Sequence, residues 1–281
     1  MMKKTDTFRL MPYCIPYLLF YFILLTVNIF IFPANIKKLS PIFIAYNVLA
    51  PTMLFLGIGY LINFLHEFKS AINFKKAFII ILLLIASDQI IKIFLIQHRG
   101  DPILVGTLLT GYVPYNGETI SADSIKGAII YDGVNIPLIA DWLSIQICHN
   151  LTRPYTPLFV NIIGIPIMLL ILFVLYGFFR FKKLDVWFYT IFFVLWSAGY
   201  ICSSLDRIFY GGSYDYIRMA QFSVCDLKDI YITVAVSTMF QQFKICNLWN
   251  IKTKELCSNI SSYWRYEKDS LNQFLRKKRY Y

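Results

Sequence analysis

Long stretches almost free of charge constrain this chain more than any other feature. Apolar runs cover about residues 11–33, 41–65, 76–96, 157–179, 186–205 and 230–245. An α-helix needs about 20 such residues to cross the hydrocarbon core of a bilayer, and without water inside the bilayer every backbone group must be satisfied within the segment. Composition agrees: 58% of the 281 residues are apolar and 15% are charged, where soluble domains carry roughly 25% charge. The expected fold is therefore all-α and polytopic, with about six transmembrane helices, and large soluble domains are excluded. The first run follows Lys3, Lys4 and Arg9, is longer than a signal-peptide core and has no small-x-small cleavage site. It reads as a retained helix rather than a removed leader.

Hydropathy collapses between about residues 98 and 154. Turn signals at Arg99-Gly100-Asp101-Pro102, Asn116-Gly117 and Asp132-Gly133 separate short apolar or β-branched pieces such as Ala128 to Tyr131 and Leu143 to Ile147. That pattern predicts a small β-rich unit outside the membrane. After Asn247 the tail is polar and basic. The chain thus divides into 1–75 with two helices, 76–247 with four helices and the β-rich insertion at 98–154, and a basic tail at 248–281.

Lys and Arg outnumber Asp and Glu by 27 to 16, and their placement explains the excess. Cytoplasmic loops near helix ends are enriched in positive charge. With six spans and both termini inside, eighteen basic residues fall on the cytoplasmic side and eight on the other, with Lys92 left inside a span. Lys37 and Lys38, in the outer turn between the first two spans, oppose the trend locally. This bias accounts for the basic balance without nucleic acid, and the cluster Arg276-Lys277-Lys278-Arg279 suits anionic membrane lipids.

Ionisable residues within or at the ends of spans are default functional-site candidates, because the bilayer disfavours them. Asp88 and Lys92 lie near the outer end of the third span, and Asp206, Arg207, Asp215 and Asp226 lie in the outer connection between the fifth and sixth. The six cysteines form no C-x-x-C pair, no His completes a metal site, and neither G-x-S-x-G nor Ser-x-x-Lys occurs. No metal and no cofactor is implied. What remains is a carboxylate pair: two neighbouring aspartates cannot both ionise cheaply in a low-dielectric site, so one holds a proton while the other activates water. Plainer readings stand beside this one. Asp226 could cap the last span, Asp88 and Lys92 one helical turn apart could pair with each other, Cys202 and Cys225 could be small buried apolar residues, and Asn150 could be an ordinary helix N-cap.

These residues also carry a resemblance. Ser87-Asp88-Gln89-Ile90-Ile91-Lys92 resembles the D-Q-x-x-K block of bacterial signal peptidase II, the lipoprotein signal peptidase. Ile136-Pro137-Leu138 through Asn150 resembles that family's stretch leading to an Asn before its second helix. Gly199 with Ser203-Ser204-Leu205-Asp206-Arg207 resembles G-x-x-x-N-x-x-D-R, Tyr214-Asp215-Tyr216-Ile217 falls where V-V-D-F-I is expected, and Phe222-Ser223-Val224-Cys225-Asp226 resembles F-N-x-A-D. Five blocks occur in the family's order across roughly 76–247. Ser203 and Ser223 stand where the family has Asn, Cys202 and Cys225 replace Gly and Ala, and the two dyad blocks are more closely spaced.

The resemblance implies a four-helix peptidase core and an aspartic endopeptidase that removes signal peptides from lipid-modified prolipoproteins at the outer face of the bacterial cytoplasmic membrane. It implies Asp215 and Asp226 as the catalytic dyad, Asp206 and Arg207 as its braces, and Asp88, Lys92 and Asn150 as shapers of the substrate site, with the β-rich unit closing over the peptide. A non-catalytic relative that binds lipidated peptides or another membrane protein is the alternative. A transporter is a weaker one, as no repeated half supports it.

Overall fold

The computed structural model describes residues 10–19, 21–23, 41–67, 74–98, 112–115, 118–121, 129–131, 136–139, 143–150, 158–182, 184–210, 212–219, 223–247 and 253–278. Residues 10–19 and 21–23 are helical, followed by α1 (Pro41–Glu67) and α2 (Phe74–His98). Five short strands come next: β1 (Tyr112–Tyr115), β2 (Glu118–Ser121), β3 (Ile129–Tyr131), β4 (Ile136–Ile139) and β5 (Leu143–Asn150). Then come α3 (Leu158–Phe181), α4 (Trp187–Tyr210), β6 (Ser213–Met219), β7 (Ser223–Cys225), α5 (Leu227–Ile245) and α6 (Thr253–Lys278). The far half of the first apolar run, the turn holding Lys37 and Lys38, the three turn signals and Arg279 lie outside the described residues.

Three described helices are long and apolar enough to cross a membrane, at Lys75–Gln97, Ile163–Phe181 and Trp187–Tyr210, and shorter apolar helices lie at Leu10–Ile23 and Pro51–His66. The protein is mostly helical, with a small antiparallel sheet. Helix α2 leaves Phe78, Ile79, Leu82, Leu83 and Ile90 exposed along its outer side, an apolar surface that only lipid or another apolar partner satisfies. Helix α5 reads as less apolar because it buries Ser237, Thr238, Gln241 and Gln242 against its neighbours.

Helices α4 and α5 pack more extensively than any other pair among the described residues. A side chain at Gly199 would bring its Cβ to 2.7 Å from Ile232 Cγ1 and 3.2 Å from the Lys228 carbonyl, so only glycine lets the first turn of α5 lie against α4. The N-terminal helices pack onto the same pair: Tyr13, Phe55 and Ile62 bury against Phe188 of α4 and Val234 of α5.

Antiparallel pairing builds a sheet in the order β3-β5-β6-β7, with β4 also on β5, and a separate β1-β2 hairpin. In the hairpin Tyr112 pairs with Ser121 and Tyr115 with Glu118. Strand β6 joins the sheet to the bundle, since Tyr214 and Tyr216 bury with Tyr210 of α4, Ile96 of α2 and Ile147 of β5.

Three local expectations change. Asp206 and Arg207 lie in the last turn of α4, which runs to Tyr210, rather than in the connection after it, because Ile208, Phe209 and Tyr210 continue the apolar helix past the charged pair. Asn150 ends β5, paired with Ile129 and Ser213, so it does not cap a helix; the alternating Ile145 and Ile147 before it favour the sheet. The tail is not merely polar: Thr253–Lys278 is a helix whose Tyr263 stacks edge-on against Phe178 of α3 at 5.8 Å and whose Asn259 accepts from Lys182 at 2.5 Å.

Candidate active site

Two lysines and five aspartates meet where the C-terminal ends of α2 and α4, the strand β6 and the start of α5 come together. On α2, Asp88 and Lys92 are one turn apart, which puts both side chains on one face, and Lys92 Nζ lies 2.8 Å from Asp88 Oδ2. The same ammonium reaches Asp206 Oδ2 on α4 at 2.7 Å and Asp226 Oδ2 at 2.6 Å. Lys92 is 1% exposed and Asp88 and Asp226 are fully buried, so this is a dry ionic junction of three segments.

Asp226 is the N-cap of α5. The Asp229 backbone N–H donates to its Oδ1 at 3.1 Å and Asp229 Oδ2 accepts from the Asp226 N–H at 3.4 Å, a reciprocal capping box. The plain reading of Asp226 as a cap is therefore correct, and it does not compete with a functional one: the cap pins one carboxylate oxygen and leaves Oδ2 to the lysines. The i,i+4 pairing of Asp88 with Lys92 is likewise present.

Ser213 and Asp215 share a face of β6 by the two-residue period of a strand, and Ser213 Oγ donates to Asp215 Oδ1 at 2.6 Å. Asp215 is 5% exposed, and one oxygen each from Asp215, Asp226 and Asp229 lie within 4.8 Å of one another. That spacing is within reach of a single bridging atom.

Lys228, two residues past Asp226, turns back into this gap. Its Nζ contacts Asp226 Oδ2 and lies 3.1 Å from Asp206 Oδ2, 3.5 Å from Asp215 Oδ1 and 2.5 Å from Ser213 Oγ. Gln89 donates to both Asp88 Oδ2 and Asp206 Oδ1 at 3.1 Å, and Tyr216 donates to Asp88 Oδ1 at 3.3 Å.

The two dyad candidates are electrostatically unlike. Burial pushes the Asp215 carboxyl above the ordinary carboxylate range despite the pull of Lys228. Burial acts on Asp226 too, but the ammoniums of Lys228 and Lys92 outweigh it and hold that carboxyl below the range. Environments that separate two acids in this way define an acid and a base. The carboxylate sets Asp88, Asp206, Asp226 and Asp215, Asp226, Asp229 are close enough to ligate a cation; in each, a lysine ammonium already sits among the oxygens.

A family model described as signal peptidase (SPase) II matches residues 80–244, more than half of the chain. The chain belongs to the signal peptidase II family. It is a family of aspartic peptidases. A solved chain described as a bacterial membrane enzyme, determined by the in meso method at 2.3 Å resolution, is 17% identical with a TM-score of 0.41, over 64% of this chain and 93% of that one. Among curated proteins none matches.

Of the residues named from the signal peptidase II blocks, Asp88, Lys92, Asp206, Asp215 and Asp226 converge. Gly199 supports the site from below, through helix contact. Arg207 and Ser203 are half-buried on α4. Asn150 ends β5 and Ser223 begins β7, paired with Met219; their side chains are outside what is described. Cys202 and Cys225 are buried free thiols, as small apolar fillers would be.

Sequence reasoning missed Lys228, Asp229, Ser213, Gln89 and Tyr216. Gln89 lies inside the D-Q-x-x-K block and could have been read from it. Ser213 had a usable signal, its two-residue spacing from Asp215. Lys228 counted only as a loop charge, because nothing in its neighbourhood announces partners as distant as Asp206.

Proposed function

We propose that the chain is a membrane aspartic endopeptidase that removes signal peptides from lipid-modified prolipoproteins. The observation that carries this reading is the close approach of Asp215 and Asp226 in a buried site within the matched residues 80–244. The catalytic unit is 76–247, preceded by a two-helix addition at 1–75 and followed by a basic tail at 248–281. Both termini are cytoplasmic and the dyad is at the extracytoplasmic face, where exported precursors arrive.

In this reading Asp226, ionised, takes a proton from a water that attacks the scissile carbonyl, while Asp215, protonated, gives its proton to the carbonyl oxygen. Collapse of the resulting gem-diol breaks the C–N bond, and a proton passes from the dyad to the departing amine of the lipid-modified Cys. Lys92 and Asp206 hold Asp226 in position, supported by their 2.6 and 2.7 Å contacts, and Arg207 braces Asp206 from the next position. Asp88, Asn150, Gly199, Ser203 and Ser223 shape the substrate side. At two positions, Ser203 and Ser223, a serine hydroxyl of shorter reach stands where the family has the paired donor and acceptor of an Asn carboxamide.

One observation favours a second reading, a non-catalytic relative that binds lipidated peptides or another membrane protein: Lys228 occupies the dyad in this structure. Incubating the purified full chain with a diacylglyceryl-modified prolipoprotein separates the two. Cleavage before the modified Cys, lost in Asp215→Asn and in Asp226→Asn, supports the peptidase; binding without cleavage supports the relative.

A further inference from the structure

Lys228 has no role in the proton transfers of an aspartyl dyad, yet its ammonium lies in the dyad. It touches Asp226 Oδ2 and is 3.5 Å from Asp215 Oδ1, across a gap whose oxygens are within 4.8 Å. A water that gives a proton to one carboxylate while held by the other must lie within hydrogen-bond reach of both. An ammonium nitrogen fills about the space of a water oxygen, so the two cannot share that position. Nor can the ammonium replace the water, since it is a donor without a lone pair.

We infer that Lys228 is a plug: its ammonium takes the place of the attacking water between Asp215 and Asp226, and hydrolysis requires it to withdraw. This rests on the peptidase reading above. The structure supplies the retreat. Asp206 Oδ2 at 3.1 Å and Ser213 Oγ at 2.5 Å are already partners of the same nitrogen, so a swing of the flexible four-carbon stem toward them frees the gap while the ammonium stays paired. Lys92 remains on Asp226 at 2.6 Å from the opposite helix, so the base keeps a counter-charge after Lys228 has left. The two lysines therefore differ in kind: Lys92 joins Asp88, Asp206 and Asp226, while Lys228 reaches across to Asp215.

The test compares wild type, Lys228→Met and Lys228→Gln as purified full chains on a diacylglyceryl-modified prolipoprotein. A second measurement is affinity for a peptide with a secondary hydroxyl in place of the scissile amide, against the same peptide lacking the hydroxyl, because that hydroxyl must enter the water position. Both variants are expected to raise kcat by at least about tenfold, with KM little changed, which is about 1.4 kcal/mol off the barrier. Wild type is expected to show no preference for the hydroxyl, and the variants a preference of about tenfold. The plug is overturned if wild type cleaves at least as fast as both variants, or if wild type itself prefers the hydroxyl peptide, a comparison that needs no variant to fold. Absence of both cleavage and hydroxyl preference in all three proteins instead sinks the peptidase reading, and the plug with it.

Discussion

Replacing either member of the dyad by Asn is expected to abolish cleavage, but the two substitutions should have opposite effects on stability. Asp226→Asn removes the 2.6 Å contact to Lys92 and the contact to Lys228. Breaking a buried ion pair outright costs about 3–5 kcal/mol. Here the loss is smaller, because Lys92 keeps Asp88 and Asp206, Lys228 keeps Asp206 and Asp215, and Asn caps a helix about as well as Asp. A loss of about 2–3 kcal/mol follows, or roughly 4–12 °C in Tm at 2–4 °C per kcal/mol. At Asp215 the balance reverses. Its carboxyl is raised by burial, Ser213 can still donate to the amide oxygen, and the Lys228 contact is the longer one at 3.5 Å. Asp215→Asn should therefore stay within about 1 kcal/mol of wild type, on the stabilising side at pH above the ordinary carboxylate range.

The pH dependence sharpens the contrast. A group whose folded pKa is raised contributes stability below its unfolded pKa and loses that contribution as pH rises through the folded value. The gain from Asp215→Asn accordingly grows as pH rises above the unfolded value of about 3.9. Asp226, held low, contributes above its unfolded value of about 3.9 and loses that contribution only as pH falls below it. The deficit of Asp226→Asn should then be constant across the same range. Thermal unfolding followed by a thiol-reactive dye suits the measurement, since Cys14, Cys202 and Cys225 are buried free thiols. Equal destabilisation by the two substitutions at pH 8 would refute the electrostatic asymmetry on which the acid and base assignments stand.

Three further outcomes are expected. Lys92→Met should destabilise by about 3–5 kcal/mol, more than any single aspartate replacement in the site, because three buried carboxylates at 2.6–2.8 Å lose a shared partner; a Tm drop under about 6 °C argues against this. Gly199→Ala should cost about 1–3 kcal/mol and lower activity together, as the new Cβ meets Ile232 and the Lys228 carbonyl and pushes the start of α5 away; unchanged activity at reduced Tm would separate the helix contact from the dyad. For topology, a cysteine at position 120 should label with a membrane-impermeant reagent in intact cells and one at position 70 should not, with the reverse pattern placing the acids on the cytoplasmic side.

What could be read in advance was local. The i,i+4 spacing of Asp88 and Lys92, the capping position of Asp226 and the apolar runs behind α2, α3 and α4 follow from periodicities within one element. For the same reason the short segment Ala128 to Tyr131 contains β3, and Leu143 to Ile147 is the first part of β5, which runs on to Asn150. The role of Lys228 was hidden because its partners come from α4, β6 and the α5 cap at once, and a charge count sees only a cation near a membrane face. Helix α6 was hidden by its high charge, although Leu256, Ile260, Tyr263, Trp264 and Leu271 recur at helical spacing. Helix α5 misleads in the other direction: its glutamines are interior, so polarity there reports helix contacts rather than solvent.

Asp215 and Asp226 come from a single hairpin, β6 folding back on β7 in the register Ile217↔Cys225, Arg218↔Val224 and Met219↔Ser223. The distance between the two acids is thus a ruler built from a few consecutive peptide units. It also counts only in even steps. One residue inserted or removed within this ladder would turn Asp215, and Ser213 with it, to the opposite face of the sheet from Asp226's side. Chains that lengthen or shorten this ladder while keeping the pair together are expected to do so two residues at a time.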